Sequence, residues 1–504
     1  MVYPLPAGGS VLYLGSRPMP RPARKLTPAS RERPPRRGVA GPRPAARATQ
    51  RERLIAAIVE LSGGQGYQGL SIAQISSRAG VSSATFYELF EDKEACMLEA
   101  YRDATQRTLA RMESALEEGD WARAARPAFG ELLQSVQSDP DAGRVMFVEA
   151  LSGGPRVRQE QATVLDLMEQ SSEALLEGSP AGATTLDVPA RALIGGVRYI
   201  VSRHLRAGEE DRLGRLTDDI IDWMASYAVP AERGRWSMSA EARLPSAASA
   251  PGAGEAAEMV PELPRLPRGR HGLSPGAVAR SQRTRIILGT AQVTMEKGYA
   301  NTTVADIVAA AGVAKDAFYR HFSDRQQAFL EAQQYPSQHI LDTMAGAYFS
   351  VEQWPERIWR ALDALLELVA EHPAMAHLRL VECYAAGAAA IRRAEDIIRS
   401  FTLFLEEGYR YRPEANGLPR LFSQAISGAI FELIQHDVAT GHATEVRRRL
   451  PQLSYVAIAP FAGPLQAREL VGGLLTAEAR QGHRVELEGL EPSTSAMPWR
   501  RSPS

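Results

Sequence analysis

Shifting the chain by 232 residues lays Arg53–Ala100 on Arg285–Ala332 without a gap, and sixteen of the 48 positions are identical. The identities include Gly66/Gly298, Tyr67/Tyr299, Ile75/Ile307, Ala79-Gly80-Val81 with Ala311-Gly312-Val313, Phe86-Tyr87 with Phe318-Tyr319, Phe90/Phe322, and Leu98-Glu99-Ala100 with Leu330-Glu331-Ala332. Fainter echoes follow at a shift of 232 to 233, Val148-Glu149 with Val381-Glu382 and Gly196 with Gly428. Solenoid repeats have periods of roughly 20–50 residues, so a period this long marks a duplicated domain. Whatever fold one copy adopts, the chain holds it twice.

The remaining composition fits that reading. A chain of 504 residues, 44% hydrophobic, is long enough for two or more globular cores. No apolar run approaches the ~20 residues of a membrane-spanning helix, and the first residues lack the basic start and clean apolar stretch of a secretory signal. Cys96 and Cys383 are too few for a disulfide framework or a Cys-rich zinc site, which fits a reducing, cytoplasmic setting without membrane attachment. Net charge is −1, yet residues 17–53 hold eleven Arg and Lys25 against Glu32 and Glu52, a local 12 − 2 = +10. A basic arm of this kind suits the DNA minor groove.

Composition and periodicity divide the chain into seven parts. Residues 1–46 form an Arg/Pro-rich leader expected to be disordered. A helix-turn-helix segment spans 47–101 and a helical domain 102–229. A Pro/Ala-rich linker covers 230–279. The second copy repeats the plan, with its helix-turn-helix segment over 280–335 and its helical domain over 336–480, before a polar tail at 481–504.

The repeated segment has readable joints. Leu54, Ile55, Ile58, Val59 and Leu61 recur at helical spacing, and the glycine-rich stretch Gly63 to Gly69 stops that helix. Ser71 then caps a short helix, with Gln74 completing a capping box. Gly80-Val81-Ser82 makes a tight turn, Ser82 caps the next helix from Ser83 to Phe90, and Asp92 caps a long one from Lys93. Two short helices about a glycine turn, flanked by longer ones, are the helix-turn-helix plan, whose second helix suits the major groove. With Phe86 and Phe90 inward, Ser83, Ala84, Thr85 and Tyr87 face out, as hydroxyl donors to phosphates and base edges. Lys93 opposes the helix dipole in a first turn, which an external anion such as phosphate would explain. In the second copy Thr303 begins the short helix, and Lys315, Asp316, Ala317 and Tyr319 take the outward face, with His321 also outward. Arg325 replaces Lys93, and Asp324 with Gln327 forms the capping box.

The stretches AQISSRAGVSSATFYELFEDKEACMLEAY and ADIVAAAGVAKDAFYRHFSDRQQAFLEA resemble the helix-turn-helix signature of the TetR/AcrR family of transcriptional regulators. The Ala-Gly-Val turn, the Phe-Tyr-x-x-Phe recognition helix and the following Asp-Lys or Asp-Arg carry the resemblance. It implies an all-α fold of two tandem helical-bundle units. Each unit would hold an N-terminal helix-turn-helix domain and a C-terminal helical ligand-binding and dimerisation domain. It implies a regulator, in most such proteins a repressor, that binds a double-stranded DNA operator as a dimer and is released by a small-molecule effector. Carried over by position, the DNA contacts would be Ser71, Ser83, Thr85, Tyr87 and Lys93 in the first copy. In the second they would be Thr303, Lys315, Tyr319, His321 and Arg325. The late segments Ile194–Leu205, Ile220–Tyr227, Phe422–Leu433 and Tyr455–Phe461 would form a four-helix dimer interface.

The second copy departs from the pattern. Ala314 stands where Ser82 can cap, at ~1 kcal/mol. Asp316 sets a negative charge on the face meant for DNA, and Ala317 loses the hydroxyl of Thr85. The two recognition helices therefore read as unequal, and a pair formed within one chain, an intramolecular pseudo-dimer, competes with a homodimer. An alternative keeps the fold for ligand sensing or protein interaction, with one DNA-binding unit degenerate. No nucleophile elbow, phosphate loop, paired carboxylates or metal-ligand spacing is present, so neither catalysis nor a cofactor is expected. Gly64 to Gly69 matches G-x-G-x-x-G, but it follows a helix rather than a strand.

Overall fold

Serine, threonine, aspartate and glycine set the helix boundaries of both DNA-binding segments in the computed structural model, which describes residues 2–3, 12–13, 44–116, 121–177, 184–231, 274–335 and 337–488. Helix α1 (Pro44–Gln65) buries Leu54, Ala57 and Ile58 and runs through Gly63 and Gly64 before Gly66, at φ 76°, turns the chain. The turn comes later than the first glycine because the adjacent Gly63 and Gly64 weaken the helix without ending it. Ser71 accepts the Gln74 N–H and its own N–H goes to the Gln74 side chain, closing the capping box of α2 (Ile72–Ala79). Gly80, left-handed at φ 64°, ends it. Ser82 caps α3 (Ser83–Leu89) and Asp92 caps α4 (Lys93–Ser114).

The first helical domain continues with α5 (Trp121–Ser138), α6 (Pro140–Arg144), α7 (Pro155–Glu177), α8 (Ala190–Ala207) and α9 (Thr217–Ala225). The second copy supplies α10 (Pro275–Lys297), α11 (Val304–Ala311), α12 (Lys315–His321) and α13 (Arg325–Gln334). It goes on through α14 (Ser337–Tyr348), α15 (Trp354–Glu371), α16 (Pro373–Leu380) and α17 (Ala388–Phe401). It closes with α18 (Leu421–Ala439), α19 (Leu450–Ala462) and α20 (Pro464–Glu488), so helix extends into the stretch read as polar tail. The single α4 of the first copy is matched by two helices, α13 and α14; the sequence between them holds Pro336, which has no N–H for a helical ladder.

Among the described residues the departures from helix are small. Strand β3 (Thr184–Leu186) pairs antiparallel with β4 (Ala228–Pro230). A separate unit, Met1–Arg47, holds the two-residue ladder Val2–Tyr3 with Leu12–Tyr13, labelled β1 and β2. That ladder falls inside the leader expected to be disordered. Most of that leader, most of the 230–279 linker and the end of the tail lie outside the described residues.

Each DNA-binding segment packs on a smaller core, around Phe86 and Phe90 in the first copy and Phe318 and Phe322 in the second, which its helical domain completes with Val145, Val157 and Val164 or with Met375, Leu378 and Cys383. The helical domains instead share one core that runs from Leu133 and Trp223 to Phe422 and Tyr455. Helix α8 crosses α18 closely because glycines line the contact. A Cβ on Gly196 would strike the Trp223 ring and lie 2.9 Å from the Ala425 carbonyl. One on Gly428 would strike Tyr199 and lie 3.1 Å from the Gly195 carbonyl. These helices and α9 and α19 hold the four late segments singled out in the sequence, save that α9 ends at Ala225, just before Tyr227. Tyr227 lies beside Trp223 and Tyr455, and its buried hydroxyl donates to the Val456 carbonyl across the copies at 2.8 Å.

The ionic contacts of α8 with α17 and α18 are one-sided, with every arginine on α8, while the Arg468–Asp187 pair runs the other way. Glu432 of α18 accepts from Arg198 at 2.6 Å and lies 3.7 Å from Arg191, both on α8. Glu395 of α17 pairs with Arg206, Gln424 accepts from Arg203 at 2.8 Å, and Arg468 of α20 meets buried Asp187 at 2.6 Å. On the Gly196/Gly428 register, the first copy has Ile200 where the second has Glu432, and the second has Ile430 where the first has Arg198.

Candidate nucleic-acid interface

The second short helix of each copy presents one wet face. Phe86 and Phe318 are fully buried, and each holds the next ring edge-on, Tyr87 at 5.7 Å and Tyr319 at 5.4 Å between centroids. Those tyrosines are 60% and 52% exposed, unusual for large rings, and point away from both small cores. Ser83 and Ala84 are exposed beside Tyr87, as are Lys315 and Asp316 beside Tyr319. The Lys315 ammonium lies 6.0 Å from the Tyr319 ring centroid.

Other expected residues take different positions. Ser71 and Thr303 are exposed N-caps whose hydroxyls bond Gln74 and Asp306. Thr85 is half-buried, with its hydroxyl 2.9 Å from that of Ser82. Ala317, expected on the outward face, is buried, at 1% exposure. His321 is partly covered beside Phe322, and burial first, then Arg320 and Arg283, pushes its imidazole below the ordinary range.

Lys93 and Arg325 need no external anion to explain them, which corrects the sequence argument. The Lys93 ammonium donates to the carbonyls of Tyr67 and Leu70 at 3.1 and 2.8 Å and lies 4.3 Å from the Tyr67 ring centroid. Arg325 donates to the carbonyls of Tyr299, Ala300 and Thr302 at 3.0, 3.2 and 2.5 Å, 4.4 Å from the Tyr299 ring. Both cations satisfy the carbonyls of the tight turn before the helix-turn-helix. Burial lowers the Lys93 pKa. The cap at Asp324 is also simpler than expected, since Gln327 returns its side chain to the Ser323 N–H instead of closing a box.

Three further devices recur in both copies. Arg51 pairs with Glu99, donates to the Leu89 carbonyl at 2.8 Å and covers the Phe90 ring; Arg283 pairs with Glu331 at 2.5 Å over Phe322. Arg53 and Arg285 donate to the turn carbonyls of Gly80 and Gly312 at 3.2 and 3.0 Å. Glu149 and Glu382, from the helical domains, accept the N–H groups of Tyr67 and Tyr299 at 2.8 and 2.7 Å. Burial raises Glu149. The glutamates anchor each reading segment to the domain behind it. Their trace in the sequence is the Val148-Glu149 and Val381-Glu382 echo.

The caps make two expectations testable. Ala314 at the N-cap of α12 makes no side-chain bond, whereas Ser82 accepts the Thr85 N–H at 3.0 Å. Ala314→Ser should stabilise the second segment by roughly 0.5–1 kcal/mol, read from denaturant midpoints. Asp306 is held down to about 2 by the Lys297 ammonium at 2.6 Å, then by Thr303. Its depressed pKa contributes stability above the usual carboxylate range, lost as pH falls through about 2. Lys297→Met should return the Asp306 carboxyl towards the ordinary value in an NMR titration.

A paired helix-turn-helix with exposed tyrosines on each second helix defines a DNA-binding transcription regulator. Residues 54–100 and 286–332 each match the family described as bacterial regulatory proteins, tetR family. The chain thus carries the DNA-binding segment of that family twice. Similar solved structures include the fatty acid degradation regulator FadR from Bacillus halodurans, 18% identical over 34% of this chain and 96% of that one, TM-score 0.32. The transcriptional regulator FadR from Bacillus subtilis, in complex with stearoyl-CoA, is 16% identical over 36% of this chain and 97% of that one, TM-score 0.32. A TetR family transcription regulator from Marinobacter aquaeolei VT8 is 19% identical over 35% and 96%, TM-score 0.28. No helix among the described residues is long and apolar enough to cross a membrane.

Proposed function

We propose that the chain represses transcription in the cytoplasm as an intramolecular pseudo-dimer. Helices α3 and α12 enter successive major grooves, about 34–36 Å apart. Ser83, Thr85 and Tyr87 contact one half-site, and Lys315, Tyr319 and His321 the other. Ser71 and Thr303 meet flanking phosphates, while Lys93 and Arg325 hold the turn that presents the helix. A small effector in the helical domains releases the operator. The observation that carries the pairing is the one-sided ionic contact between α8 and α18. Like-with-like pairing would set Arg198 against Ile200 rather than Glu432, stranding half-buried charges, which is costly. The covalent link favours partners in the same chain by raising effective concentration.

In vitro site selection with the full chain, together with light scattering at micromolar concentration, tests this. A non-palindromic site bound by a species of 54.9 kDa is the expected result. A palindromic site bound by a species twice that mass would overturn it. A second reading, in which the second segment no longer reads DNA, is favoured by exposed Asp316 on α12 and the missing cap at Ala314. It predicts a selected site of one half only.

A further inference from the structure

The second helical domain contains a partly open cavity of about 80 Å³ between α14, α15, α16, α17 and α18. Its wall is aliphatic and aromatic, with Leu365, Val369, Leu380, Ile397, Phe431 and Ile434 among its residues. Tyr335, Tyr384, Gln435, His372 and Arg379 bring polar atoms to it, and the Gln435 amide is already spent on the Leu380 carbonyl at 2.7 Å. Arg379 is 7% exposed; one guanidinium nitrogen donates to the Gln333 carbonyl and to the Ser337 hydroxyl at 3.2 Å. The other, Nη2, is buried with no partner among the described residues, as is Nε2 of His372. Burial lowers Arg379 to about 10, so it keeps its charge at neutral pH, and burial holds His372 neutral. The nearest ionisable neighbour of Arg379, Cys383, is a buried thiol pushed up to about 12, and no described carboxylate pairs with the guanidinium.

An unpaired cation inside an apolar wall is costly unless something anionic arrives. We infer that this cavity binds an amphipathic carboxylate, its apolar body along the aliphatic wall and its two oxygens on Arg379 Nη2 and His372 Nε2. The guanidinium Nη2, with the imidazole Nε2 in its Nε2–H tautomer, makes two donor positions, which match a carboxylate better than a phosphate with more oxygens to satisfy. The site belongs to the second copy. On the register set by Val148-Glu149 and Val381-Glu382, Met146 replaces Arg379 and Asp139 replaces His372. Arg379 also lies three residues before Glu382, which holds the Tyr299 N–H of the second reading segment. Occupation at Arg379 therefore bears directly on the anchor of that segment.

The assignment deepens the effector reading above, and binding measured without DNA separates its failure from failure of the operator reading. Calorimetry on the full chain uses decanoate and 1-decanol as probes. Saturable decanoate binding near one per chain, at least tenfold tighter than 1-decanol, is expected. Arg379→Met, which copies the first unit, should erase the preference while retaining the helical spectrum and 1-decanol binding. Ile434→Trp, which fills the cavity, should abolish binding of both. Absence of saturable decanoate binding to the unaltered chain, equal affinity for acid and alcohol, or a preference that survives in a folded Arg379→Met chain would overturn the proposal. Should Arg379→Met not fold, the acid–alcohol comparison on the unaltered chain decides alone.

Discussion

Gly428→Val is expected to break the joint between the two copies. The valine Cβ would run into Tyr199 and press on the Gly195 carbonyl, and helix backbones cannot shift without opening the shared core. Overpacking of this kind costs roughly 1–3 kcal/mol, and here the top of that range is expected because the clash falls on Tyr199 Cβ, which is fixed to its helix, and not on the far end of a flexible side chain. Denaturant unfolding should show the early loss of tertiary signal from Trp223, which lies in the shared core. Helical signal from the DNA-binding segments, which have separate cores, should persist further. Gly472→Ala in α20 is the control, since nothing lies within 4 Å of its Cβ. It should be neutral or stabilising by up to ~1 kcal/mol, as alanine is the better helix former. Equal effects at the two positions would show that close approach of α8 and α18 does not matter to stability.

The second large effect is expected on DNA. Tyr87→Ala and Tyr319→Ala should each weaken operator binding by ~1–3 kcal/mol, since each exposed ring offers both a hydroxyl and a flat contact surface. The rings lie on separate cores with no shared partner, so the double variant should lose close to the sum, roughly 2–6 kcal/mol. Neither change opens a core cavity, because both side chains are mostly in solvent. Helical spectra and melting should therefore stay near those of the unaltered chain. Titrations at several salt concentrations check the origin of the loss: an altered affinity with an unaltered salt slope marks base or sugar contact instead of phosphate contact. A loss confined to Tyr87→Ala would support the reading in which α12 no longer meets DNA.

How far the sequence could be read followed the range of each interaction. Ser71, Ser82, Asp92 and Thr303 are legible as caps because an N-cap satisfies an N–H two or three residues away. Gly80 and Gly312 are legible because the left-handed backbone after a helix favours glycine. The carbonyl partners of Lys93 are not legible because they lie 23 and 26 residues back, across a turn whose geometry no local pattern encodes. Ala317 was misread for a related reason. At the corresponding position Thr85 keeps part of its surface, and helical phase alone cannot separate a half-covered position from a buried one. The four late helices came from family resemblance, and the identity of their partners came only with the fold. Nothing in the run of residues sets Arg198 against Glu432 until α8 is laid on α18.

That ionic joint gives the molecule a heading. A regulator built from two identical chains looks the same from upstream and downstream, so its site carries no arrow. Here the arginines belong to one half and the glutamate to the other, and the halves cannot trade places. Seated on an unequal site, the chain would always turn its cavity-bearing half towards the same flank of the promoter. Between two divergent genes, one such molecule could sense a single signal and still treat its left and right neighbours differently.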